Sequence, residues 1–159
     1  MELRTVNYPL FVLTALVALV ATISLFPASW NFWRPEWVAL LVIYWVLRAP
    51  AHFGMITAWA LGLFVDVLEA SVLGLHAAAF SLLAFLVLSA HQRMKLYPVG
   101  QQSLLVFLFI GLGQMLIHFL QHLVGTPQDG LHYLLPALTS AVVWPVLVVF
   151  LDGMNRKLG

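Results

Sequence analysis

Asp66 is an ionisable side chain at the end of an otherwise apolar run, Ala51–Val67. Such groups are costly in hydrocarbon and usually face protein or water. It follows His52 by 14 residues, about 21 Å at the helical rise, which puts it near one end of a span and away from the midplane. Gly54, Ala58, Gly62 and Asp66 share a four-residue spacing. A small-xxx-small stripe of this kind packs closely on another helix, so Asp66 is expected to look inward. The plain alternative is a helix-end carboxylate wetted among the headgroups. Arg34 is the cation expected at the same depth. A desolvated Arg34–Asp66 pair would pin two helices together, whereas an Arg34 that snorkels to lipid phosphate would do nothing of the kind.

Gln114, His118, Gln121, His122 and Gly125 line one side of a second apolar stretch. The His118/His122 spacing can hold zinc, but two histidines are half a site. No carboxylate completes a His-Glu-x-x-His motif, so a polar helix-contact stripe is the better reading. His76 opens a further stretch and is within reach of Asp66; a lone histidine there is more often structural. Trp144-Pro145 lies inside the last apolar run, where proline frees a carbonyl and shapes the helix. Asp152 and Arg156 have i,i+4 spacing and read as a surface pair worth little. No Gly-x-Ser-x-Gly and no Ser/His/Asp constellation at one depth is present, so the sequence does not read as an enzyme. No metal or cofactor site is expected either.

What must position these residues is a membrane bundle. Of the 159 residues, 63% are hydrophobic and 8% charged, against roughly 25% charged in a soluble domain. Lipid must therefore cover most of the surface. In lipid the backbone satisfies itself only in helices or a closed barrel. Barrel strands alternate with period two; these apolar runs are continuous, so the class is all-α. Net charge is +1 and no basic tract appears, which leaves nucleic-acid binding unsupported. Cysteine is absent, which excludes disulfides and thiolate chemistry.

A span needs about 20 apolar residues. Leu10–Phe26, Leu73–Ser89, Ser103–Val124 and Leu131–Leu151 qualify. Asn31–Val67 is too long for one span, and Arg48-Ala49-Pro50-Ala51-His52 divides it into Pro35–Leu47 and Ala51–Val67, both short. The expectation is a single domain, residues 1–159, forming a compact bundle of six transmembrane helices. The first span is read as uncleaved, because no small-x-small site follows it. With the N-terminus inside, Arg4, Arg48, Arg93, Lys95, Arg156 and Lys157 fall on the cytoplasmic side and Arg34 alone outside. Positive residues favour that side, so both termini are expected in the cytoplasm. Trp30, Phe32, Trp33 and Trp37 form the expected outer aromatic belt, with Tyr97 in an inner loop and Tyr133 near the outer start of the last helix. Pro35 suits the first turn of the second helix, Pro50 and Pro98 suit inner loops, and Gly125-Thr126-Pro127 an outer turn.

Arg34-Pro35-Glu36-Trp37, Tyr44-Trp45, Arg48-Ala49-Pro50, Gly62-Leu63-Phe64-Val65-Asp66, Leu73-Gly74 and the late Trp144-Pro145 before a basic tail stand in this order along the chain. In order and spacing they resemble the rod shape-determining protein MreD family across nearly its whole length. The resemblance implies a non-enzymatic component of the cell-elongation machinery in the bacterial inner membrane. It would bind MreC, a single-pass protein, and act with MreB, RodA and a class B penicillin-binding protein in cell shape and lateral peptidoglycan synthesis. The fold also looks similar to the six-helix substrate-binding component of energy-coupling-factor transporters. That supplies a second reading, a vitamin-like transport component with an outer pocket near Asp66, His76 and His118.

In the scaffold reading the partner helix docks on the Gly54/Ala58/Gly62 face or on the Gln114/His118 stripe, with Asp66 and Arg34 holding the outer half in shape. A homodimer through a small-residue face is a further arrangement that the sequence leaves open.

Overall fold

The computed structural model describes residues 6–24, 29, 33–125 and 130–158. Arg4, Trp30, Phe32, Thr126 and Pro127, all part of the expectations above, lie outside the described residues. Six α-helices follow one another: α1 (Tyr8–Ser24), α2 (Trp37–Arg48), α3 (Met55–Leu68), α4 (Leu75–Leu96), α5 (Val99–Val124) and α6 (Leu135–Leu158). A 3-10 turn, Leu131–Leu134, leads into α6. Three of these, from Leu75–Leu96, Val99–Val124 and His132–Leu158, are long and apolar enough to cross a membrane, and α1 to α3 are shorter apolar helices. The chain is thus a six-helix, multi-pass membrane protein.

The shortest helix is the central one. Every residue of α2 from Val38 to Leu47 is buried. At 12 residues it is about 18 Å long, well short of the roughly 30 Å hydrocarbon core. A helix this short suits a place where protein covers it on all sides and lipid never meets its ends. α1, α4 and α6 pack around it. Its aromatic pair is fixed by polar ends: Tyr44 Oη donates to Asp152 Oδ1 at 2.8 Å, and Trp45 Nε1 to Thr14 Oγ1 at 3.2 Å. Phe11 stacks on Phe53 beside Trp45. Large apolar side chains such as Val12, Leu16, Ile56, Phe64, Leu104, Phe119, Val142 and Val146 are exposed on the outer helices, as a lipid-facing surface requires.

Helix boundaries differ from the sequence expectation in two instructive ways. α2 begins at Trp37, not at Pro35; Glu36 is its N-cap, and Pro35 only supplies the carbonyl that Trp37 N–H reaches at 3.0 Å. α4 runs on past Ser89 to Leu96, because nothing between them breaks a helix until Pro98. Pro145 stays inside α6, where its neighbour Trp144 is fully buried.

Candidate functional site

Asp66 sits one helical turn after Gly62 on the inward face of α3, and both residues are buried. A Cβ on Gly62 would lie 2.5 Å from both Ala77 N and Ala77 Cα. Only glycine lets the first turn of α4 come this near. That approach brings the orphan N–H groups at the start of α4 within reach of the Asp66 carboxylate. Asp66 Oδ2 accepts from Gly74 N–H at 2.8 Å, and Oδ1 from His76 N–H at 3.0 Å. Oδ1 also accepts from Ser71 Oγ at 2.8 Å and lies 2.9 Å from His76 Nδ1. Gly74, at φ 103°, has no side chain with which to cap α4. Asp66 supplies that cap from the preceding helix. It is the staple of an α3–α4 hairpin.

The expected Arg34–Asp66 pair does not form. Arg34 Nη2 instead meets Glu69 Oε1 at 2.8 Å, and Nη1 donates to the Thr22 carbonyl. Thr22 lies in the last turn of α1, where carbonyls lack helical partners. Arg34 therefore caps α1 while pairing with the end of α3. Glu69 wins the pairing because it stands past the helix end, partly exposed, whereas Asp66 is turned into α4. His76 Nε2 lies 3.6 Å from Glu69 Oε2, so one polar chain, Arg34–Glu69–His76–Asp66, ties the same end of α1, α3 and α4 to the segment before α2.

A second cluster closes the opposite end. Arg48 Nη2 meets Asp152 Oδ2 at 2.6 Å, and the Arg48 guanidinium lies over the Tyr44 ring. The Asp152–Arg156 surface pair expected from spacing is absent, because Asp152 faces α2 and is taken by Arg48 and Tyr44. Gln102, which sequence reasoning passed over, is buried. It donates to the Met94 carbonyl at 2.7 Å and accepts from Trp144 Nε1 at 3.3 Å, joining α4, α5 and α6. Its only sequence signal is an amide four residues after Pro98.

The remaining candidates scatter. His118 and His122 approach at 3.1 Å, and His118 stacks on Tyr133, which holds the 3-10 turn against α5. Among the described residues no three His, Cys, Asp or Glu side chains gather to hold a metal. Asp66 and His76 are spent on each other, while His118 is spent on His122 and Tyr133, so these three do not converge on a pocket. Gly54 and Ala58 lie on the same face as Gly62. Gly54 has only a loose neighbour, Leu88 Cδ1, at 3.8 Å from a built Cβ, and Ala58 is buried. The Gly62 end of this stripe is filled by α4 of the same chain, so it is not open to a partner. On α5, Gln114, His118 and Gln121 are half-buried along one face.

A family model described as rod shape-determining protein MreD matches residues 3–154. The rod shape-determining protein MreD of Haemophilus influenzae is 27% identical over 141 residues, which cover 89% of this chain and 87% of that relative. No solved structure matches the chain.

Proposed function

The chain belongs to the rod shape-determining protein MreD family of non-enzymatic, multi-pass cell-shape proteins, and from that premise we propose that it is a helix-binding scaffold of the bacterial elongation complex. Its direct partner is a single-pass, MreC-like protein, and through it the chain joins an MreB-, RodA- and class B penicillin-binding-protein assembly that regulates cell shape and lateral peptidoglycan synthesis. The observation that supports docking on α5 is the half-buried pair His118 and Gln121, in line with Gln114, which itself reaches the cleft towards α2 and α4, on a helix that otherwise shows Leu104, Leu108, Leu112 and Met115 to lipid. Polar side chains at a lipid-facing helix surface are costly alone and act as glue between helices. On the Gly54/Ala58/Gly62 face the Gly62 end is already filled by α4 of the same chain, which leaves it less room for a partner.

The chain resides in the cytoplasmic membrane with both termini inside. That orientation is supported by the placement of Arg48, Arg93, Lys95, Arg156 and Lys157 at one end of the bundle and Arg34 at the other.

The test is affinity purification of the tagged full-length chain from gently solubilised native membranes, followed by mass spectrometry. The parent is expected to bring down a single-pass coiled-coil protein with wall-synthesis enzymes. Gln121→Leu combined with His118→Leu should express and insert normally but lose most of that recovery. Undiminished recovery removes the α5 stripe from the proposal. Recovery of nucleotide-binding ATPase subunits in place of wall enzymes overturns the scaffold reading in favour of transport.

A further inference from the structure

From spacing alone His118 and His122 are half a metal site; the structure adds how they face each other. They stand one turn apart on α5, and their Nε2 atoms approach to 3.1 Å with the rings perpendicular. A transition-metal ion lies about 2.0–2.1 Å from each imidazole nitrogen that binds it. Two such bonds across a 3.1 Å gap enclose an angle of about 100° at the metal. That falls between the roughly 90° of square-planar or octahedral sites and the roughly 110° of tetrahedral ones. The two nitrogens therefore already stand at a chelating separation.

Their surroundings suit an ion as well. His118 stacks on Tyr133, with ring centroids 4.5 Å apart and planes 11° apart. One ring is thus held in place, and less freedom is lost when a metal arrives. His122 is exposed in the last turn of α5. With 26 residues the helix is about 39 Å long, longer than the roughly 30 Å hydrocarbon core, so that turn reaches headgroup water. Without a metal, one ring donates an Nε2 proton to the other. On binding, that proton moves to Nδ1 of its own ring, so both Nε2 atoms become ligands and both rings stay neutral. His76 offers no such arrangement. Asp66 lies at its Nδ1 and Glu69 at its Nε2, on opposite sides of the ring, so the two carboxylates cannot share one ion with it. Imidazole suits zinc, nickel and copper, whereas magnesium and calcium take oxygen ligands.

We propose that His118 and His122 form a two-nitrogen chelate for a divalent transition-metal ion at the end of α5, with water in its remaining coordination positions. The site goes beyond the scaffold reading and does not rest on it: the isolated chain binds the ion whether or not α5 docks a partner.

The test uses the full-length chain without a histidine tag in detergent micelles. Zinc chloride is the probe and magnesium chloride the control, read by isothermal titration calorimetry. Saturable binding of one zinc ion per chain is expected, with no binding of magnesium. His122→Ala changes an exposed side chain, so the fold should survive. It should weaken zinc binding by about tenfold or more, because the second nitrogen of a chelate acts at high effective concentration. His52→Ala, also at an exposed position, should leave binding unchanged. With copper(II) in place of zinc, electron paramagnetic resonance should show two nitrogen ligands in the parent and one in His122→Ala. No saturable zinc binding, equal binding of magnesium, or a two-nitrogen signal that survives His122→Ala overturns the proposal.

Discussion

A carboxylate only accepts hydrogen bonds, and every group around Asp66 can donate: Gly74 N–H, His76 N–H, Ser71 Oγ and His76 Nδ1. Removing the acceptor leaves several of these buried without partners, at about 1–3 kcal/mol each where no water replaces them. Asp66→Ala should therefore lower the unfolding free energy by roughly 3 kcal/mol or more. Asp66→Asn keeps the shape but turns an NH₂ group towards donors, so it should recover little of that loss. Denaturant unfolding in micelles measures both. Hydrogen exchange should speed up at the Gly74, His76 and Ala77 amides, and an Asn variant as stable as the parent would refute the capping account. The inward orientation of Asp66 was legible from its spacing with Gly62. Its partners were not, because most are backbone N–H groups of a turn that carries no side-chain signature. Opposite charge pointed to Arg34, but geometry gave that cation to Glu69 and to a helix-end carbonyl. Gln102 was illegible for the same reason: its donor contacts are main-chain oxygens.

Among the helices, close approach is concentrated at one glycine. The built Cβ at Gly62 collides with the backbone of Ala77 at 2.5 Å, while that at Gly54 meets only the flexible end of Leu88 at 3.8 Å. Backbone cannot yield as a side chain does, so Gly62→Ala must push α4 away and disturb the Asp66 cap one turn later. Overpacking of this kind costs about 1–3 kcal/mol before the cap is counted. Gly54→Ala should change stability by no more than about 0.5 kcal/mol. Comparing thermal midpoints of the two variants checks this, and equal effects would show that the stripe is not graded as the contacts say. The stripe itself, and the division of Asn31–Val67 into two short helices, could be read from small-residue spacing and from Arg48-Ala49-Pro50. Which helix fills the stripe could not, because a small-residue face serves a neighbour in the same chain and a partner equally well. Nor did composition show that α2, rather than a longer helix, occupies the centre. Its apolar residues run all the way round, but so do those of a lipid-facing helix.

Across the whole bundle, charge is separated along the axis. Arg34, Glu36, Asp66 and Glu69 stand at the end where α2 and α4 begin, and Arg48, Arg93, Lys95, Asp152, Arg156 and Lys157 where α2, α4 and α6 finish. The pairs Arg34–Glu69 and Arg48–Asp152 neutralise one cation at each end. That leaves the finishing end with a surplus of positive charge, and positive charge favours the cytoplasmic side. The absence of cysteine from the sequence makes the orientation directly measurable. Val72 is exposed in the turn between α3 and α4, and Gly100 is exposed at the start of α5 with open space where a Cβ would stand. In a host whose outer membrane is made permeable while the inner one stays intact, Val72→Cys should react with a membrane-impermeant maleimide. Gly100→Cys should react only after the inner membrane is opened. The reverse pattern would place the Arg34–Glu69 end in the cytoplasm, with both termini outside. Reaction of both in intact cells would mean that the bundle inserts in two orientations. The charge difference between the two ends would then be too weak to fix one of them.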